Sequence, residues 1–179
     1  MLARVCVTPA AAELLRRLQQ RYGALLLHLS GGCCEGSAPM CLRRSGFRIG
    51  GRDVLLGVVE GCPFYVGAAQ FPYWAASQLT LDVTTGGGDS FSLEAADGVR
   101  FLVRSRVFSD AEMDALDAAG PLPVGPYAAG PLPGSCTSTD WTLAPAARCG
   151  TARRPRQPRH PGLRCPCPTS TARWPSSAR

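Results

Sequence analysis

Ala24-Leu25-Leu26-Leu27-His28-Leu29-Ser30-Gly31-Gly32-Cys33-Cys34-Glu35-Gly36-Ser37 is the stretch whose reading decides the fold. Its first six residues form an apolar run too short for a helix, and they predict a strand buried on both faces, interrupted by one histidine. The next eight hold three glycines and two adjacent thiols. Glycine in an ordered segment costs about 0.5–1 kcal/mol relative to alanine, so such a loop is kept for its backbone shape, its sulfurs or both. A buried strand that runs into a thiol-bearing glycine loop predicts a working site at its carboxyl end.

Upstream, Val5 to Val7 reads as a short edge strand. Thr8 has the chemistry of a helix N-cap, and Pro9 suits the first helical position, where a missing N–H costs nothing. Ala11, Leu14, Leu15 and Leu18 recur at the spacing of a buried stripe, with Arg16, Arg17, Gln20 and Arg21 on the watery side. Gly23 is placed for the left-handed residue that closes a helix.

Downstream the chain breaks into short apolar segments. Pro39 to Arg43, Phe47 to Ile49, Val54 to Val59, Phe64 to Val66, Leu79 to Val83 and Val99 to Arg104 predict strands. Gly50-Gly51-Arg52-Asp53 and Glu60-Gly61-Cys62-Pro63 carry turn chemistry, and Gly86-Gly87-Gly88-Asp89 is a second glycine-rich loop. Phe71 to Gln78 predicts a short helix entered at Pro72. Ser109-Asp110-Ala111-Glu112 is a capping box that opens a last helix reaching Ala119. Strands outnumber helices, and the connections are too short for repeated βαβ crossovers. The expectation is an α+β fold: a small, mostly β domain over residues 1–120 with a helix near each end. A chain of that size buries roughly 65% of its unfolded surface, enough for one core.

Composition divides at the same place. Through residue 120, eleven arginines meet twelve carboxylates; beyond it, eight arginines meet one aspartate, and twelve of the sixteen prolines lie there. The net charge of +6 therefore belongs to the later segment. Its scattered Pro, Arg, Ser and Thr cannot bury enough apolar area to offset the entropy of ordering, so residues 121–179 are expected to be a disordered tail. All nineteen cations are arginine. Nucleic-acid and membrane surfaces commonly mix lysine with arginine, and neither is expected as a partner. No apolar run approaches the roughly 18–20 residues of a membrane helix. Thr8-Pro9 and Glu13 break up the N-terminus as a secretory signal. A cytoplasmic protein is expected, with thiols that act as metal ligands or reactive groups rather than disulfides.

His28, Cys33, Cys34, Cys41 and Cys62 supply five soft or borderline ligands within 35 residues. Zinc or iron needs three or four such atoms converging. The spacing is not the paired Cys-x2-Cys of a zinc ribbon. Adjacent cysteine side chains diverge, so one of Cys33 and Cys34 would ligate while the other stands beside it. Cys41 and Cys62 also suit the role of small core hydrophobes, and His28 that of a hydrogen-bonded core histidine. No lysine follows the glycine loop, which excludes a nucleotide P-loop. A thiol nucleophile would have to use His28, the single histidine before residue 121, as its base. Glu35, Asp53 and Glu60 read more simply as solvated turn residues. The reading is a non-enzymatic metal-binding protein, with iron, an iron–sulfur cluster or zinc as cofactor.

The run His28-Leu-Ser-Gly-Gly-Cys-Cys-Glu-Gly-Ser-Ala-Pro-Met-Cys41 resembles the signature of an uncharacterised bacterial family, domain of unknown function 779. So do Gly51-Arg-Asp-Val-Leu-Leu-Gly57, Gly61-Cys-Pro-Phe-Tyr65 and Phe91-Ser-Leu-Glu94, and the resemblance covers about residues 5 to 115. Members are often encoded beside aldehyde dehydrogenases. The resemblance thus implies such an enzyme as partner and, as the alternative function, a thiol-redox or aldehyde-handling accessory role for Cys33 and Cys34. Thr8 to Leu15, the apolar strand and Ser30-Gly-Gly-Cys33 are also similar to the opening of the A-type iron–sulfur carrier (HesB-like) proteins, a small β-rich fold. Their closing Cys-Gly-Cys-Gly-Ser-Phe falls here on Gly86 to Phe91, where both cysteines are missing. This second resemblance implies Cys33 as principal ligand, completed by Cys34, Cys41, Cys62 or His28, or by a second subunit of a homodimer.

Overall fold

The structure, a computed structural model, describes residues 2–30, 38–86 and 91–127. In chain order the described elements are β1 (Val5–Val7), α1 (Pro9–Tyr22), β2 (Leu25–Leu29), β3 (Met40–Arg43), β4 (Val54–Val59), β5 (Cys62–Val66), α2 (Phe71–Trp74), β6 (Ser77–Thr85), a 3-10 turn (Leu93–Asp97), β7 (Val99–Val107) and α3 (Asp110–Ala118). The class is α+β, with a helix near each end of the described chain. No described helix is long and apolar enough to cross a membrane.

Local chemistry sets α1. Thr8 is extended, its hydroxyl accepts from the Ala11 amide at 3.3 Å, and Pro9 opens the first turn. The same hydroxyl donates to Asp82 at 3.0 Å, so the cap also ties the helix to β6. Gly23 ends the helix at φ 81°, ψ −150°, which is not the left-handed helical region but a corner that only glycine enters cheaply.

The strands form two sheets, one of order β1-β6-β7 and one of order β3-β2-β5-β4. In the first, β6 and β7 make a nine-pair antiparallel ladder and β1 lies parallel to β6. In the second, β2 is central, antiparallel to β3 and parallel to β5. One core joins them: Val5, Val7, Leu79, Leu81, Phe101 and Val103 from the first sheet meet Leu25, Leu27, Leu29, Cys41, Phe64 and Val66 from the second. Ala11, Leu14, Leu15 and Leu18 of α1 complete it, as their spacing predicts.

All five residues of β2 are buried. Side chains alternate across a strand, so Leu25, Leu27 and Leu29 enter the core while Leu26 and His28 point to the opposite face. That outer face is covered by the 44–53 segment. Phe47 to Ile49, expected as a strand, joins no ladder; the Phe47 ring packs on His28 instead, with centroids 5.1 Å apart.

The β4–β5 turn is tighter than its sequence suggests. Glu60 and Gly61 both have positive φ, 47° and 75°, which is the two-residue turn matched to strand twist. Pro63 consequently lies inside β5, paired with Val58. It is tolerated because β2 pairs with β5 only from Phe64 onward, so no ladder needs the missing N–H. The expected helix from Phe71 to Gln78 is one turn only, because Ser77 and Gln78 already extend β6.

Beyond Gly120 the described chain runs along the outer edge of β4. The Leu55 amide donates to Pro123 O, the Gly125 amide donates to Asp53 O, both at 2.9 Å, and Val124 bridges Val54. Gly125 has φ 82°, and a Cβ there would come within 3.5 Å of the Gly51 carbonyl. The segment covers an exposed strand edge that would otherwise template pairing with another chain. Residues 128–179, including most of the expected tail, lie outside the described residues.

Candidate functional site

His28 is the last residue but one of β2 and is only 6% exposed. Its strand position, one step out of phase with the core leucines, puts its ring under Phe47. The Asp53 carboxylate stands 3.3 Å from Nε2 without a hydrogen bond to it, and its Oδ2 accepts from the Gly50 amide at 2.8 Å. Both ring nitrogens of His28 are buried without a hydrogen-bond partner among the described residues. Tyr65, the neighbour of His28 in the parallel β2–β5 register, shares this face; its hydroxyl accepts from the Tyr127 amide at 2.9 Å. Burial holds the Tyr65 phenol above its ordinary pKa, against the lowering effect of that bond.

The thiols divide. Cys41 pairs with Leu27 across β2–β3, and Cys62 pairs with Val59 across β4–β5; both are fully buried in the core. They therefore lie on the face opposite His28, and the structure does not bring them to it. The Cys62 sulfur accepts from the Gln19 amide at 3.1 Å. Burial pushes the Cys62 thiol up to about 12, although the Gln19 contact works the other way. Burial, with smaller contributions from Glu94 and Cys62, pushes the Cys41 thiol up as well. Both stay protonated at neutral pH, and a thiol is neither nucleophile nor good ligand until ionised. Iodoacetamide is expected to leave Cys41 and Cys62 unlabelled in the native protein and to label both in urea, read by peptide mass mapping. Labelling of either in the native state would contradict this packing. Cys33 and Cys34 lie outside the described residues, as does most of the Gly86–Phe91 stretch. Among the described residues no three His, Cys, Asp or Glu side chains converge as a metal cluster.

Two functional-looking groups were not visible as such in the sequence. Asp53 reads as turn chemistry, and its turn does form, but the same turn carries its carboxylate to His28. Glu94 sits in the Phe91-Ser-Leu-Glu94 segment and is 2% exposed. It takes a short hydrogen bond from the Ser92 hydroxyl and one of 3.2 Å from the Phe101 amide, while the Cys41 amide donates to Ser92 Oγ at 2.7 Å. Burial raises the Glu94 carboxyl above its ordinary value, partly offset by the Ser92 and Phe101 bonds. Both its oxygens are occupied, and it serves to lock the two sheets together.

These features define a two-sheet α+β domain with a buried histidine, an aspartate carboxylate beside it, on the outer face of one sheet. Residues 14–107 match the model of the family described as Domain of unknown function (DUF779), and the chain belongs to that family. No curated protein and no solved structure matches the chain.

Proposed function

We propose that this is a non-enzymatic accessory protein that holds a metal ion or iron–sulfur unit where β2 ends, using His28 and the thiolates of the Gly-Gly-Cys-Cys loop. One observation carries the reading: both nitrogens of the buried His28 ring lack a hydrogen-bond partner among the described residues. A buried polar atom left unpaired costs about 1–3 kcal/mol, and coordination is one way to satisfy an imidazole nitrogen. Metal-ligating histidines commonly hold their second nitrogen against a carboxylate. Asp53 is the group beside Nε2, which leaves Nδ1 for the metal. Cys33, five residues after His28, is the principal thiolate, with Cys34 beside it. Imidazole and thiolate together suit zinc and iron. Cys41 and Cys62 remain packing residues. A reducing cytoplasm would keep the loop thiols available, a second copy of the chain could complete the ligand set, and the family resemblance implies an aldehyde dehydrogenase as the protein served.

The test is elemental analysis of the full chain purified without oxygen. Stoichiometric iron or zinc is expected in the wild type, with most of it lost from Cys33→Ser and from His28→Gln, and with far-ultraviolet circular dichroism unchanged. Metal-free wild type, or full metal in both variants, overturns the reading. So does a metal-free protein in which Cys33 and Cys34 react faster than a model thiol, an outcome that points to the thiol-redox role instead.

A further inference from the structure

A cavity of about 430 Å³ opens on the outer face of the β3-β2-β5-β4 sheet, between that sheet, the 44–49 segment and the chain at 126–127. Its size falls within the range of small-molecule sites, roughly 300–1,000 Å³. Phe47 and Tyr127 give it an aromatic side above the buried Leu26 and Tyr65, and Arg44 and Arg48 bring two guanidinium groups to it. Arg44 gives one of its five N–H donors to the Tyr127 carbonyl at 2.6 Å, which holds its guanidinium at the cavity. Arg48 has no hydrogen-bond or ion-pair partner among the described residues. The chain from Arg43 to Arg52 holds four arginines and no carboxylate. Asp53, the next acid, is turned to His28 and the Gly50 amide. The residues lining the cavity include two arginines and no carboxylate, so its charge favours an anion over a cation.

We propose that this cavity binds a small carboxylate with a planar apolar body. The ring lies against Phe47 and Tyr127, where offset and edge-to-face aromatic contacts are favourable. The carboxylate meets Arg48, whose planar fork matches two carboxylate oxygens. A phosphate has no planar apolar body to place against the aromatic side, so it gains the arginine contacts alone. The site stands apart from the metal reading: Phe47 touches both, but neither His28 nor Asp53 lines the cavity.

Isothermal titration of the full chain, pretreated with EDTA, tests this with benzoate, benzyl alcohol and inorganic phosphate as probes. Benzoate is expected to bind saturably and roughly fivefold more tightly than either of the others, the fold-change of about 1 kcal/mol for a pair made to an exposed guanidinium. Arg48→Gln should weaken benzoate by a similar factor and leave benzyl alcohol unchanged. Arg48 is solvent-exposed, so the variant should fold, and its circular dichroism will show it. The proposal is overturned if benzoate does not saturate, if benzyl alcohol or phosphate equals it, or if Arg48→Gln binds benzoate as the wild type does.

Discussion

Phe64→Ala is expected to destabilise the protein by about 3–5 kcal/mol, the usual cost of removing a fully buried phenylalanine. Phe64 is 0% exposed, and its register neighbours are Leu27 on β2 and Gly57 on β4. Gly57 presents no side chain, so the residue paired with Phe64 on β4 contributes nothing to fill the space the ring leaves. On the other side Leu27 is held between β3 and β5 and cannot swing across. The cavity term should therefore be near its full size. For a domain whose total stability is about 5–15 kcal/mol, the loss is a large share of the whole. Thermal unfolding should drop by roughly 10–20 °C, at about 3–5 °C per kcal/mol for this size. Phe64→Leu, which keeps most of the volume, should lose less than half as much. A Phe64→Ala protein within about 1.5 kcal/mol of the wild type would mean that the two sheets do not share the core described above.

Much of this fold is legible in the residues, and the parts that are not share a cause. The cap at Thr8, the Leu14–Leu18 stripe and the Ser109–Glu112 box depend on neighbours within a few positions, and each is found as read. Pairing of β2 with β5 and of β1 with β6 depends on residues far apart, and no local pattern announces it. Pro63 looks like a turn residue because a proline in a strand is costly in general; here the neighbouring strand happens not to need its N–H. The candidate site divides in the same way. His28 stands out as a polar residue in an apolar run, and it is indeed the odd group in β2. That Cys41 and Cys62 face away from it follows from strand phase, which only the β2–β3 register reveals. Phe91-Ser92-Leu93-Glu94 inverts the usual inference most clearly. Its alternation favours burying Phe91, yet Phe91 is 92% exposed and the serine and glutamate are inside. Two buried polar groups can replace an aromatic ring there because each satisfies the other and a backbone amide besides.

That arrangement makes Glu94→Ala the second large effect, about 2–4 kcal/mol. Removing the carboxylate strands the buried Phe101 amide and takes away the acceptor of the Ser92 hydroxyl, and each unpaired buried group costs about 1–3 kcal/mol. Part of the loss is returned because a desolvated carboxylate is itself unfavourable, which is why the sum is not larger. The pH dependence has a definite sign. Burial raises the folded-state pKa of Glu94 above the ordinary value of 4.5, so the folded protein binds that proton more tightly than the unfolded chain does. The stability this supplies is fully present below 4.5 and is lost as pH rises through the raised value. Glu94→Gln keeps an acceptor for Phe101 and a donor for Ser92, should cost about 1 kcal/mol near pH 5, and should cost less at pH 8, where the wild type carries the buried charge. Urea unfolding at the two pH values measures both. If Glu94→Gln tracks the wild type in parallel at each pH, the carboxyl is not titrating in the core. A loss under about 1 kcal/mol in Glu94→Ala would mean that Ser92 and Phe101 find other partners, and that the two sheets are not locked together through this residue.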